Sequence, residues 1–478
     1  MPIRFHNSFT RQLEELRPLV PGTVAMYHCG PTVYSSPHIG NFRSFLFADV
    51  LRRFLEDQGL RVRQVMNVTD VGHMTQDDED RGEDKLDAMA RKLGKDPWAI
   101  ARHYEDEFHD CQNRLLVRLP HHMPRATEYI AQMGRIIGDL LARGYAYQVP
   151  TGNVYYRIAR FPAYGQLSGK VLEELEEGAR VQVNPEKEDP RDFALWKVDP
   201  KHIMQWEAPF HGGVRGFPGW HIECSAMAMD LLGQQVDIHT GGEDNMFPHH
   251  ECEIAQSEAH TGKRFAGIWM HARHLLVDGT KMSKSLGNFF TVADILGRGY
   301  SGLELRYALV RVQYRQALNF TLAGLDEARS AIHRVAQCRS RLARVRAGVE
   351  PAGPDGLAAE VQRAHDAFTA AMSEDLNVSE ALAAVFALVG EANKARPSVA
   401  GADLALRAFA RFEDVLGCFG AEPAAREEAP AELQELLAQR VAAKAAKDWA
   451  QADALRARIA AAGWKIVDTA QGARLEKA

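Results

Sequence analysis

The run Thr23-Val24-Ala25-Met26-Tyr27, Cys29-Gly30-Pro31 and then Pro37-His38-Ile39-Gly40-Asn41 decides the fold. Its first five residues form a short apolar strand, and Gly30-Pro31 turns the chain out of it. From Asn41 to Gln58, Phe42, Phe45, Leu46, Val50, Leu51 and Phe54 recur at helical spacing, and Gly59 ends the run. Leu60 to Thr69 reads as the next strand, closing on Val65-Met66-Asn67-Val68-Thr69. Strand, helix and strand at this spacing make a βαβ unit, and such units build parallel sheets. The expected fold class is α/β, with a Rossmann-like parallel sheet.

Outward from that unit, about Leu115 to Phe217 reads as an insertion. It has helical material from Ala126 to Arg143, strands around Asn153 to Ile158, and a polar, Glu-rich stretch from Glu173 to Arg191. Regular alternation resumes near Trp220. Met270 to Asp278 reads as a strand before a turn at Asp278-Gly279. From Leu322 the pattern becomes helical, with Leu325, Ala328, Ile332, Val335, Leu342 and Val345 at three- and four-residue steps. Gly348 to Gly356 breaks it, and further helices run to about Phe419. Ala421 to Pro430 is a Pro/Ala/Glu linker, and Leu433 to Ala478 reads as two helices with a strand-and-turn tail. No repeat of solenoid period is present.

Composition narrows the class. The chain has 478 residues, 46% hydrophobic and 25% charged, which are ordinary globular values and exclude a disordered chain, a collagen or a coiled-coil rod. Its length suggests three or four domains. The apolar run Ala381 to Val389 is far short of the ~20 residues that cross a bilayer. Met1 to Arg11 has no apolar core after a basic leader, so no secretory signal is expected. The net charge of -6 means that any surface for a polyanion must be local. Six cysteines, Cys29, Cys111, Cys224, Cys252, Cys338 and Cys418, are too sparse for a disulfide scaffold and suit a reducing cytoplasm.

Three constellations carry chemistry. Pro31 to Asn41 joins the first strand to the first helix, where an open parallel sheet binds its ligands. Helix N-terminal amides favour anions there, Gly40 permits a close approach, and His38 can donate to a phosphate oxygen. A loop histidine beside a helix cap fits the same residues. Lys281-Met282-Ser283-Lys284-Ser285-Leu286-Gly287-Asn288 sets two lysines three apart in a Gly/Ser-bearing loop, a clamp suited to a polyphosphate; a plain solvated loop is its alternative. Cys29, Cys224, His249 and Glu253 are reasonable zinc ligands, since Pro248 starts a helix and the i, i+4 pair shares one face. Two buried cysteines and a surface His/Glu pair satisfy that spacing equally well.

Taken together, the first two constellations resemble the HIGH and KMSKS signatures of class I aminoacyl-tRNA synthetases. His38-Ile39-Gly40-Asn41 departs from the first only at Asn41, and Lys281 to Ser285 matches the second completely. The chain is further similar to cysteinyl-tRNA synthetases in Trp220 to Met227, Met246 to Glu251, Asp237-Ile238-His239, Phe289-Phe290-Thr291, Lys447-Asp448-Trp449 and Ala452-Asp453, so the resemblance spans essentially the whole chain. It implies activation of cysteine with ATP and magnesium to cysteinyl-adenylate, and transfer to the 3′-terminal adenosine of tRNA(Cys). It implies catalytic roles for His38, Lys281 and Lys284, with nucleotide contacts from His38, Gly40, Asn41, Gly241, Gly242, Asp244 and Lys284. Thr240 and Glu243 stand where the family is richer in glycine and serine. It places Thr69, Trp220 and His239 near the amino acid, and one zinc ion on Cys29, Cys224, His249 and Glu253. His250 and Cys252 are expected to face elsewhere on that helix. The polar segment Val71 to Asp84 departs from the family's usual continuation after Thr69-Asp70.

The resemblance divides the chain into a catalytic domain (1–320), a helical bundle (321–425) and a small anticodon-binding tail (426–478). From Gln439 onward eight basic residues face four acidic ones, a local excess in an acidic chain. Asp453, Arg456 and Asp468 match RNA-binding positions of that tail, whereas Leu475 replaces the usual tryptophan of its closing Gly-x-x-Trp pattern. Trp449 and Trp464 are expected in the core. The arginines between Arg329 and Arg346 suit either tRNA phosphates or an ordinary solvated helix face. The expected partners are cysteine, ATP and tRNA(Cys), without membrane, for a cytoplasmic monomer. Two alternatives use similar residues: a mycothiol-pathway ligase joining cysteine to an amino sugar, and a non-catalytic tRNA-binding paralogue.

Overall fold

The computed structural model describes residues 1–72, 74–76, 81–170, 184–283, 286–420, 430–446, 448–469 and 472–477. Its residues fall into two compact units, Met1–Glu422 and Pro423–Ala478. The first is built on four parallel strands, β1 (Thr23–His28), β2 (Arg61–Met66), β3 (Val236–Gly242) and β4 (Ala266–Ala272), in the order β4-β3-β1-β2. Helix α1 (Ile39–Asp57) carries β1 to β2 on one side, while β3 lies on the other. Strand order therefore reverses at β1 and opens a crevice at the C-terminal ends of β1 and β3. The register sets His28 level with Met66 on one side and with Thr240 on the other.

Periodicity in α1 fits its packing. Phe42, Phe45, Leu46, Val50, Leu51 and Phe54 are all buried, each contributing about 1.5–3 kcal/mol relative to exposure. The helix starts two residues before the expected Asn41, because His38 caps it. It also buries charge. Asp49 Oδ2 accepts from Arg53 Nε at 2.8 Å and from Arg306 Nη2 at 2.6 Å. The Arg306 guanidinium, 0% exposed, further donates to the carbonyls of Leu115, Leu116 and Leu416.

The insertion forms a five-stranded antiparallel sheet that includes Val154–Tyr156 and Phe193–Lys197. The helix expected over Ala126 to Arg143 divides into a 3-10 turn, Ala126–Glu128, and a helix, Ile130–Ala142. The turn is held to the end of β2, since Ala126 N donates to Val68 O and Asp70 accepts the Thr127 amide and hydroxyl. Most of the Glu-rich stretch, 171–183, lies outside the described residues. Helices α2 (Trp220–Leu232) and α3 (Glu251–Thr261) flank β3 in sequence. The strand expected from Met270 to Asp278 divides into β4 and a short strand, Leu275–Val277, with the turn at Asp278-Gly279 where both residues have positive φ.

Four helices follow: α4 (Leu322–Arg346), α5 (Ala358–Ser373), α6 (Val378–Lys394) and α7 (Val399–Leu416). Each arginine of α4 has a partner within the protein, although Arg329, Arg334 and Arg346 remain exposed. Arg329 pairs with Glu304 at 2.7 Å, Arg344 with Glu350 at 2.6 Å and Arg346 with Asp403 at 3.6 Å. Arg334 lies over the Phe386 ring, while Arg339 and Arg341 donate to the carbonyls of Gly420 and Ala392. The second unit comprises α8 (Ala431–Ala445), α9 (Trp449–Ala461) and a hairpin of Trp464–Thr469 with Gly472–Lys477. Its core joins Leu433, Ile459 and Trp464, with Leu475 packed against them. Trp449, expected in a core, is 60% exposed at the first position of α9. Among the described residues no helix is long and apolar enough to cross a membrane.

Arg306→Met removes a donor from three carbonyls and one of the two arginines that hold Asp49. It should destabilise the first unit by about 3–5 kcal/mol, the range for breaking a buried ion pair, as read by denaturant unfolding. A loss below 1 kcal/mol would refute the joint's role.

Candidate active site

The crevice is built from β1 outward. Gly30, just past Cys29, donates its amide to Asn67 Oδ1 at 2.8 Å. A Cβ there would lie 1.7 Å from the Asn67 carbonyl oxygen, so only glycine fits. The chain then runs to His38, the N-cap of α1. His38 Nδ1 accepts from Asn41 N at 3.2 Å, and Asn41 Oδ1 accepts from His38 N at 3.1 Å. This reciprocal box gives the departure at Asn41 a structural reason: its side chain fixes the cap. The His38 ring meets Phe289 edge-on at 5.1 Å. A Cβ on Gly40 would stand 3.0 Å from the His38 ring and 3.2 Å from Met282 Cε.

His38, Gly40, Asn41, Gly242, Asp244 and Lys281 line one cavity of about 610 Å³ together with Cys29, Thr69, Trp220, Cys224 and His249. That volume suits a nucleotide-sized ligand. Lys281 is exposed and ends a short strand, Thr280–Lys281. Lys284 and Ser285 lie outside the described residues. Gly241 does not line the cavity; a Cβ on it would meet the His250 ring at 2.8 Å.

At the floor, donor atoms of Cys29, Cys224, His249 and Glu253 lie within 4.8 Å of one another, and all four residues are buried. The two sulfurs are 4.0 Å apart. His249 Nε2 lies 3.4 Å from Cys224 Sγ and 3.2 Å from Glu253 Oε1. Its other nitrogen is held by His221 Nδ1 at 3.0 Å, and Trp220 stacks on its ring at 4.1 Å. Glu253 Oε2 is held by His239 Nε2 at 2.9 Å. Outer contacts of this kind orient metal ligands. Burial pushes both thiols up, so the pocket alone does not supply thiolates; a coordinating cation would.

His250 corrects the expectation that it faces elsewhere. Its Nε2 lies 3.2 Å from Cys29 Sγ and 3.9 Å from Glu253 Oε1, so a second set, Cys29, His239, His250 and Glu253, also converges. The reason is helical: residues three and four apart both share a face with Glu253. Its Nδ1 lies 2.8 Å from His271 Nε2, and burial lowers its basicity. Cys252 does face elsewhere, 3.4 Å from the Tyr164 hydroxyl.

Thr69 is buried beside the cluster. Its hydroxyl donates to Glu223 Oε2 at 2.9 Å and accepts from Asn67 Nδ2 at 3.0 Å. Burial raises the Glu223 carboxyl, whose Oε1 has no hydrogen-bond partner among the described residues. Sequence reading missed Glu223, although it adjoins Cys224. In the second unit Asp453 and Arg456 are exposed three residues apart on α9, and Asp468 stands opposite Ala473 in the hairpin.

Comparison with known proteins follows this geometry. A family model described as "tRNA synthetases class I (C) catalytic domain" matches residues 15–330, and the DALR domain matches residues 367–420. Solved structures of a leucyl-tRNA synthetase from Agrobacterium radiobacter (TM-score 0.60, 13% identity, 84% of this chain and 85% of that one) and a methionyl-tRNA synthetase from Mycobacterium tuberculosis (0.57, 15%, 83% and 92%) share the fold. Sheet, signatures and family match make this a class I aminoacyl-tRNA synthetase. Cysteine–tRNA ligases of Thermus thermophilus (43% identity, 99% of each chain), Protochlamydia amoebophila (42%, 100% and 98%) and Acidovorax ebreus (43%, 100% of each) are similar along their whole lengths. The chain belongs to the cysteine–tRNA ligase family.

Gly40→Ala forces a Cβ against the His38 ring. It should lower cysteine-dependent ATP–pyrophosphate exchange by at least about tenfold, because sub-ångström misplacement of a positioned group is costly. Exchange at the parental rate in a folded variant would refute that account.

Proposed function

We propose that Cys29, Cys224, His249 and Glu253 hold one zinc ion that reads the cysteine side chain, while His38, Lys281 and Lys284 serve the phosphates of ATP. The observation that carries this reading is the convergence of four buried donors on the floor of the cavity whose rim holds His38 and Lys281. Two sulfurs, one nitrogen and one oxygen fit zinc chemistry. When bound, zinc supplies a soft Lewis acid that lowers the pKa of the substrate thiol and prefers sulfur to a serine hydroxyl, a distinction that contact size alone makes poorly.

The chain's own residues do the rest by position and charge. Trp220 and His221 fix the His249 ring, and His239 fixes the free oxygen of Glu253. Thr69, which lines the cavity, offers its hydroxyl for the amino acid's ammonium group, and Glu223 behind it holds that hydroxyl. The cysteine carboxylate attacks the α-phosphate of magnesium-bound ATP, forming the acyl–phosphate bond as pyrophosphate leaves. The cap of α1 and His38 receive the phosphates, and Lys281 and Lys284 neutralise charge on the leaving group. A ribose hydroxyl of the tRNA 3′-terminal adenosine then attacks the activated carbonyl, and AMP leaves. Gly242 and Asp244 serve the nucleotide from the opposite wall, with Gly241 making room for His250 behind it.

Functionally the chain divides into a catalytic domain (1–320), a helical bundle (321–425) and an anticodon-binding tail (426–478) in which Asp453, Arg456 and Asp468 meet tRNA(Cys). The exposed Asp453 and Arg456 support that reading over an amino-sugar acceptor, as does similarity to tRNA ligases through the tail. Six buried, reduced cysteines fit a cytoplasmic setting.

Cys224→Ser should lose one equivalent of zinc and raise the KM for cysteine at least about tenfold, with weaker rejection of serine in exchange assays. Unchanged metal content would remove Cys224 from the ligand set. Deleting Leu433 to Ala478 should depress tRNA charging far more than exchange; equal losses would argue against an RNA-binding role for the tail.

A further inference from the structure

The polar departure after Thr69-Asp70 ends in a further convergence of ligand atoms, away from the crevice. Asp84 closes the strand Arg81–Asp84 and caps the helix Lys85–Leu93, with Oδ1 accepting from Leu86 N at 2.8 Å and Asp87 N at 3.0 Å. Asp87 Oδ2 accepts from Ile203 N at 3.0 Å. His202 lies flat on Phe217 at 3.8 Å. Its Nδ1 stands 2.8 Å from Met204 O, and a carbonyl only accepts, so Nδ1 carries a proton; in the neutral ring Nε2 is then the acceptor.

The remaining atoms, Asp84 Oδ2, Asp87 Oδ1 and His202 Nε2, have no hydrogen-bond partner. The three residues offer ligand atoms within 4.8 Å of one another. They are 2%, 1% and 6% exposed, in that order. Asp84 Oδ2 and His202 Nε2 are 3.7 Å apart, beyond hydrogen-bond length but suited to two ligands that each reach a shared cation at ~2.0–2.2 Å. Arg91 Nη1 comes only to 4.0 Å, on the opposite oxygen of Asp87. With a neutral His202 ring, three buried acceptors face one another, and among the described residues no hydrogen-bond donor reaches them. Leaving such a group uncompensated is costly.

We propose that Asp84 Oδ2, Asp87 Oδ1 and His202 Nε2 bind a divalent first-row cation of the zinc or manganese type, at a site separate from the Cys29 cluster. One imidazole with two carboxylates and no sulfur suits those ions, and water completes the coordination. The ion clamps the helix Lys85–Leu93 to the loop before Trp206, and so anchors the segment that leaves the Thr69 end of β2. The proposal stands independently of the zinc reading for the crevice.

The test is metal stoichiometry on full-length protein, stripped with chelator and titrated separately with Zn²⁺ and Mn²⁺. The parent should take up two equivalents of zinc, and His202→Gln, Asp87→Asn and Cys224→Ser one each. Mn²⁺ should raise the melting temperature of the parent and of Cys224→Ser but not of His202→Gln. Equal stoichiometry in the parent and His202→Gln overturns the proposal, leaving a protonated His202 between two carboxylates. If Asp87→Asn fails to fold, Cys224→Ser still decides, since no uptake by that variant also overturns it. A single equivalent kept in His202→Gln and lost in Cys224→Ser sinks this site and leaves the crevice site standing; the reverse pattern supports this site and sinks the other.

Discussion

Everything at the active centre depends on bringing two thiols, an imidazole and a carboxylate into one buried point. Each donor arrives on a different schedule. Cys29 follows β1, Cys224 comes from the first turns of α2, His249 from the helical turn just before α3, and Glu253 from the first turn of α3. Burying them without a cation leaves the thiols protonated and the carboxylate dependent on histidines. The surrounding shell is correspondingly rich in imidazoles, with His221, His239, His250 and His271 in hydrogen-bonding distance of the cluster or of one another. A shell of this kind fixes ring orientation before any ligand arrives.

The parallel sheet was legible because strand, helix and strand each carried their own period, and the buried faces of α1 fell where that period put them. The metal candidates were legible for a weaker reason, since one i, i+4 pair and two isolated cysteines gain force only from resemblance. What escaped notice has physical causes. His250 shares the Glu253 face through an i, i+3 relation, which the i, i+4 pair beside it obscures in the sequence. Glu223 was hidden because an acidic residue in a helix reads as solvated until its burial is known. The α4 arginines looked like a surface stripe, yet their long side chains reach back to carboxylates and carbonyls of the neighbouring elements, which no one-dimensional pattern reveals. Trp449 looked like core by hydrophobicity alone, but the first position of a helix has few neighbours to cover it.

The crevice is also tied to the helical bundle through α1. The N-terminus of α1 carries His38 at the cavity, and its middle carries Asp49. Asp49 meets Arg306, and Arg306 grips the C-terminal carbonyl of α7 at Leu416. A buried ion pair gains little net stability over an apolar replacement, because desolvation offsets the attraction. Its value here is registry. The guanidinium accepts only one arrangement of its carbonyl partners, so α1 cannot slide along its axis without stranding a charge. The His38 cap at the cavity and the end of the bundle are therefore fixed to the same rigid rod, and apolar packing, tolerant of small shifts, would not hold them to that tolerance.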